Sequence, residues 1–128
     1  MTKTSKIRLG QTKRKGRGVF ATKKIKKGEV IECAPVLVIP EAEWKLIKKT
    51  ILYHYVFTWS DEPEDIALAL GFGSFYNHSY TPNANFDTKV EEDVIEFVAA
   101  RDIAPDEEIT INYNGAGDNS PLWFEVKS

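Results

Sequence analysis

Short alternating runs of apolar and charged residues dominate the chain, and only one stretch carries helical spacing. Ile7 and Leu9 alternate with charges and predict a short strand, and Val19-Phe20-Ala21 predicts a second. Between them, residues 11–17 form a basic turn among Gly10, Gly16 and Gly18. Lys26-Lys27-Gly28-Glu29 is another turn. Residues 30–39 are apolar and β-branched, an extended segment that Pro35 should kink or confine to a sheet edge. Pro40 opens a short helix, with Glu41 and Glu43 in its first turn and Trp44, Ile47 and Ile51 at helical spacing. Tyr53, Tyr55, Phe57 and Trp59 then alternate. On a strand they would share one face, as core or as the wall of a pocket, and on a helix they would spread around it. After an acidic turn at 60–65, strands are expected at 84–87, 94–100 and 108–113, separated by charged turns. A polar loop at 114–120 precedes an apolar tail, Pro121-Leu122-Trp123-Phe124.

Two features stand out from this background. Ala21-x-Lys23-x-Ile25-x-x-Gly28-Glu29-x-Ile31 is echoed by Ala99-x-Arg101-x-Ile103-x-x-Asp106-Glu107-x-Ile109, at a constant offset of 78. The echo is too short for a repeat architecture and predicts two similar β-turn-β corners. The second feature is the run from Gly71 to Asn83, which follows the apolar Ile66-Ala67-Leu68-Ala69-Leu70. Its polar string would ordinarily lie at the surface, but Phe75, Tyr76 and Tyr80 are interleaved and tie it inward. A buried loop must satisfy its backbone groups, which makes Asn77, His78, Ser79 and Asn83 candidate internal partners. The run reads either as a well-fastened turn or as a binding loop on a rigid scaffold. Many short strands with little helix predict a mostly β fold.

The 128 residues suit one domain, with 42% hydrophobic and 28% charged positions, as in a soluble globular protein. Neither a membrane-spanning apolar run nor a signal peptide is evident, so an intracellular location, cytoplasmic in the first instance, is expected. One cysteine, Cys33, and two histidines exclude an internal disulfide and a Cys-rich zinc site, so no metal is expected. The net charge of −2 hides an asymmetry: residues 1–28 hold eleven Lys or Arg and no acid, and residues 29–128 hold all nineteen acids and six bases. The basic part fits non-specific contact with nucleic acid or chromatin, and the acidic body fits a basic peptide. Glu62, Glu64, Asp65, Glu91, Glu92 and Asp93 are candidates for that attraction, or plain solvated surface.

Three motifs, in order, resemble one family. Lys15-Gly16-Arg17-Gly18-Val19-Phe20-Ala21 is similar to the Gly-x-Gly opening of SET-domain protein-lysine methyltransferases. Asn77-His78-Ser79-Tyr80-Thr81-Pro82-Asn83 resembles that family's Asn-His-Ser-Cys-x-Pro-Asn signature, with Tyr80 in place of Cys. Glu107-Glu108-Ile109-Thr110-Ile111-Asn112-Tyr113 resembles its Glu-Glu-Leu-Thr-x-x-Tyr segment, and Tyr55-Val56-Phe57 its Tyr-Leu-Phe segment. The likeness runs from about Ile7 to Phe124, so a single SET domain over 1–128 is expected, with residues 1–6 as a flexible basic arm. The resemblance implies a β-clip fold of several small sheets, one or two short helices, and a pseudoknot in which the Asn-His-Ser segment passes beneath the C-terminal loop. No Cys-rich segment flanks the domain, so residues 114–128 would close the active site without metal.

The resemblance also implies the chemistry: transfer of a methyl group from S-adenosylmethionine to a lysine ε-amine of a basic protein, histone-like or ribosomal. Tyr113 is the implied catalytic residue, its hydroxyl beside the target nitrogen and the transferring methyl. Gly16, Arg17, Gly18, Tyr55, Phe75, Asn77, His78, Tyr113 and Trp123 are the implied cofactor-binding residues. For Asn77 and His78 a fastening role fits equally well. Phe86, Ile111, Tyr113 and Phe124 are the implied lysine channel. Phe86 and Ile111 stand where a tyrosine hydroxyl would restrict methylation, so more than one methyl is expected. The competing reading is a non-catalytic module that binds a peptide or methyl-lysine through its aromatics. A nucleic-acid role for residues 1–28 would rest on charge, since Phe20 is their only aromatic. Pairing into a homodimer would offer so small a domain a way to complete its substrate groove.

Overall fold

A computed structural model of the chain describes residues 6–13, 16–60 and 63–115. The first sheet has four strands in the order β1-β2-β9-β6: β1 Ile7–Gln11, β2 Arg17–Ala21, β9 Glu108–Ile111 and β6 Asn77–His78. The second has five in the order β4-β5-β3-β8-β7: β4 Val56–Thr58, β5 Ile66–Ala69, β3 Val30–Ile39, β8 Val94–Ala99 and β7 Ala84–Lys89. One helix, α1 (Glu41–Ile47), and two 3-10 turns complete the described secondary structure. The core joins Ile7, Val19, Ile31, Ile95, Phe97, Ile109 and Ile111, which point inward from their strands, with Ile25 and Ile103 from the turns between strands.

The echo at offset 78 is a local pseudo-twofold. Ile25 and Ile103 form a reciprocal bridge at its centre, with N–H···O distances of 2.9 and 2.7 Å. Around it main-chain bonds recur in matched pairs. Ala21 N donates to Glu107 O at 3.0 Å, as Ala99 N does to Glu29 O at 3.0 Å. Asp106 N donates to Ala21 O at 2.8 Å, as Gly28 N does to Ala99 O at 2.8 Å. Gly28 and Asp106, the matched turn positions, take left-handed φ of +87° and +67°. The like sequences fold into two corners that pair with each other and join the two sheets.

Three expectations are corrected. Pro35 lies on the central strand of the five-stranded sheet, not at an edge. It is tolerated because β3 changes partner there: residues 30–35 pair with β8 and 36–39 with β5, so the missing N–H falls at the handover. Ile51 does not extend the helical face. The helix ends at Ile47, Thr50 Oγ1 bonds to Ile47 O at 2.7 Å, and Ile51 starts a 3-10 turn, 68% exposed. The four alternating aromatics do not share a strand either. Tyr53 and Tyr55 fall in that turn, Phe57 on β4 and Trp59 beyond it. Lys6, at the end of the expected basic arm, forms an ion pair with Glu29 at 2.6 Å and donates to Val30 O. The rest of that arm lies outside the described residues.

Candidate active site

The polar string from Asn77 to Asn83 is bound to the strand that ends before Tyr113. β6 pairs in parallel with β9, Asn77 opposite Thr110 and His78 opposite Ile111, and Ser79 N continues to Ile111 O at 2.9 Å. Asn83, almost fully buried, donates to Glu108 O at 2.8 Å and to Glu107 Oε2 at 3.0 Å, and accepts from Thr110 N at 2.9 Å. These bonds answer the accounting that a buried polar loop demands. Bonds from Ala104 N and Asn83, with the Arg101 charge, outweigh the opposing effect of burial and hold the Glu107 carboxyl below its usual value. Tyr80 is the exception to the inward pattern. It is half exposed and sets its ring edge-on to His78, with centroids 4.3 Å apart.

Tyr113 is fixed from two directions. Its amide donates to His78 Nδ1 at 3.0 Å, and its hydroxyl donates to the Tyr76 carbonyl at 2.7 Å. His78 Nδ1 is therefore an acceptor here, which places the imidazole proton of the neutral ring on Nε2. Burial first, then the nearby Tyr55 and Glu108, push the Tyr113 phenol far above its ordinary value of 10. It is a neutral hydrogen-bonding group, not a base.

A cavity of about 270 Å³ opens beside this hydroxyl, lined by residues 54–58, Gly73, Ser74, Tyr76, Tyr113 and Asn114. Its size falls just below the roughly 300–1,000 Å³ of small-molecule sites. Tyr55, Phe57, Tyr76 and Tyr113 give it aromatic walls, and its described lining has no Lys or Arg. A cation of the sulfonium or ammonium kind meets ring faces and lone pairs there without a like charge.

The implied site residues fall into groups. Tyr55 and Tyr113 share the cavity, and His78 holds the latter from behind. Asn77 Nδ2 donates to Glu108 Oε2 at 2.7 Å and to Arg17 O at 3.2 Å, so it ties the Gly-x-Gly segment to β9. Gly18 is buried against that pair: a Cβ there would lie 2.5 Å from Glu108 Oε2 and 2.7 Å from Asn77 Nδ2. Its missing side chain thus makes room for protein atoms, whereas Gly16 has open space and a left-handed φ of +74°. Arg17 caps the Phe75 ring at 4.9 Å. Phe86 reaches the cavity wall only through Phe57, edge-on at 5.1 Å, and Ile111 is wholly buried in the core. Neither lines the cavity. Trp123 and Phe124 lie outside the described residues, as does most of the closing tail.

Glu32 was missed. It stands on β3 in step with the inward Ala34 and Val36, and an acid on that face of an apolar strand was the available signal. It accepts from Phe72 N at 2.9 Å and from Tyr76 OH at 2.8 Å.

Two small sheets joined by paired corners, with a polar segment running parallel to the strand that leads to a half-buried tyrosine, define a SET-type methyltransferase fold. The SET domain model matches residues 16–114, and the chain belongs to the SET-domain family, whose enzyme class here is the protein-lysine methyltransferases. It is 37% identical over 122 residues to a Schizosaccharomyces pombe histone-lysine N-methyltransferase specific for H3 lysine 37, covering 94% of this chain and 78% of that protein. It is 30% identical over 135 residues to an H3 lysine-9 specific enzyme of the same yeast, covering 94% of this chain but 28% of that protein. A crystal structure of a candidate histone methyltransferase from Plasmodium falciparum superposes with a TM-score of 0.72 at 31% identity, over 95% of this chain and 99% of that one. The Chaetomium thermophilum Polycomb Repressive Complex 2 bound to S-adenosylmethionine shares the fold, with a TM-score of 0.73 at 24% identity over 93% of this chain and 16% of that one.

Proposed function

We propose that this protein transfers methyl groups from S-adenosylmethionine to the ε-amine of a lysine in a basic, histone-like protein. The observation that carries the reading is the Tyr113 hydroxyl, held by the Tyr76 carbonyl on the wall of an aromatic cavity without Lys or Arg. When bound, the cofactor supplies an electrophilic methyl on a sulfonium. Tyr55, Tyr113, Gly73, Ser74 and Tyr76 would hold that end of it, and the Gly16–Gly18 backbone and Phe75 the remainder. Two histone-lysine methyltransferases among the relatives support the substrate class.

The work of the chain is desolvation and alignment. A lysine of pKa about 10.4 costs roughly 4–5 kcal/mol to neutralise at pH 7. The aromatic wall lowers that cost, because removal from water disfavours the ammonium. Tyr113, itself neutral, would accept from an amine N–H with an oxygen lone pair, and the lysine's proton would leave to solvent. The Tyr76 carbonyl provides a weak CH···O acceptor for a polarised methyl. Holding both reactants in line supplies much of the remaining acceleration. The reading extends to more than one methyl per lysine on motif position alone, since neither Phe86 nor Ile111 reaches the cavity. Lys13, Lys23, Lys24, Lys26 and Lys27 are exposed and form no ion pair with a described carboxylate. They support an accessory contact with DNA phosphates beside a histone substrate, one that weakens steeply with salt. Incubation with methyl-labelled S-adenosylmethionine and core histones tests the function. Label on lysine is expected. Absence of both transfer and calorimetric cofactor binding overturns it, and monomethyl product alone at long times overturns the multiplicity.

A further inference from the structure

We propose that Glu32 is a positioning residue for methyl transfer, fixing the Tyr113 hydroxyl through the loop that carries Tyr76; this rests on the methyltransferase reading above. The geometry is a relay. Glu32 Oε2 accepts the Phe72 amide at 2.9 Å, and Oε1 accepts the Tyr76 hydroxyl at 2.8 Å. The carbonyl of the same Tyr76 receives the Tyr113 hydroxyl at 2.7 Å. One carboxylate on the central strand thus sets both ends of the segment from which Gly73, Ser74 and Tyr76 line the cavity.

The surroundings are shaped for that carboxylate. β3 carries a bulge between Val30 and Glu32, so Ile31 and Glu32 are both drawn inward and the strand is locally re-aimed. Gly71 takes a left-handed φ of +63°, and a Cβ there would lie 2.5 Å from Glu32 Oε2. Gly73 packs where a Cβ would meet Ala69 Cβ at 2.5 Å. Tyr76 is fully buried, stacked on Phe97 with centroids 4.3 Å apart, so its ring transmits displacement at the Glu32 end to its own backbone. A carboxylate is a costly residue to bury, and an apolar side chain would fill the space more favourably. What an apolar residue lacks is the pair of directed acceptors that set the height of the loop.

The test is a double-variant cycle on the full chain with methyl-labelled cofactor and a protein substrate. Glu32→Ala should lower kcat about tenfold, the factor for 1.36 kcal/mol in the barrier, with KM for both substrates within about threefold. In a Tyr113→Phe background the same change should cost almost nothing further, because the relay then ends on a missing hydroxyl. Glu32→Gln can still accept from Phe72 and donate to the Tyr76 oxygen, and should recover kcat to within about threefold of the parent. Tyr76→Phe keeps the ring on Phe97 and should match Glu32→Ala, which serves if the alanine variant folds poorly. Losses that multiply in the cycle, or an unchanged kcat in both Glu32→Ala and Tyr76→Phe, overturn the proposal. Amide hydrogen exchange gives a readout apart from activity. Glu32→Ala should accelerate exchange at Gly73 and Phe75, in the loop it sets, as well as at Phe72, and acceleration at Phe72 alone also overturns it. Failure of the methyltransferase reading would show separately, as a parent chain that binds no S-adenosylmethionine.

Discussion

Asn83→Ala isolates the fastening of the polar loop from its chemistry. The Asn83 side chain makes three hydrogen bonds of 2.8–3.0 Å to the segment from Glu107 to Thr110, and it does not line the cavity. Alanine removes all three and leaves the Thr110 amide and one Glu108 carbonyl interaction without that partner. At about 1 kcal/mol per bond the loss is about 3 kcal/mol. That is a large share of the roughly 5–15 kcal/mol of a typical domain. With an unfolding entropy of about 2.1 cal/mol/K per residue, it lowers the melting temperature by about 11 °C. Asn85→Ala, on the exposed side of β7, is the control and should shift stability by no more than about 0.5 kcal/mol. Thermal melts followed by circular dichroism, with urea titrations alongside, measure both. An Asn83→Ala protein melting within about 2 °C of the parent would refute the view that the side chains of this run hold the two segments together.

Other outcomes follow from the same geometry. Gly18→Ala should displace the Glu108–Asn77 pair, cost about 1 kcal/mol for that bond and weaken cofactor affinity in calorimetry; unchanged affinity would contradict the packing described. Burial raises the Glu32 carboxyl above its usual 4.5, against the bonds from Phe72 and Tyr76. Its contribution is therefore favourable below the unfolded value and is lost as pH rises through the folded one. The stability of E32Q relative to the parent should then improve as pH rises above 4.5 in urea titrations, and a pH-independent difference would refute this.

Alternation made most strands legible, because each has one face in the core and one in water. The offset of 78 foretold the paired corners, since a repeated turn sequence repeats its backbone geometry. Pro35 misled because a single strand can serve two partners in succession, a tertiary fact invisible in local propensity. Tyr53 to Trp59 misled because a 3-10 turn breaks the alternation that the aromatics suggested. In the site, Tyr55 and Tyr113 line one cavity, His78 holds the Tyr113 amide, and Asn77 fastens Arg17 and Glu108. Ile111 and Phe86 were placed by motif position alone, and inward alternation on β9 and the Phe57 ring keep them from the cavity. Glu32 escaped notice because its partners come from residues 40 and 44 positions away.

The central claim is that the neutral Tyr113 hydroxyl aligns an uncharged amine with a sulfonium methyl in the aromatic cavity. Its most direct test is single-turnover transfer of labelled methyl to a protein lysine by Tyr113→Phe, with cofactor affinity measured on the same preparation. The account predicts a rate about 10²-fold below the parent with affinity nearly unchanged, the pattern of a group whose interaction is realised mainly in the transition state. Transfer at the parent rate by the phenylalanine protein would contradict it.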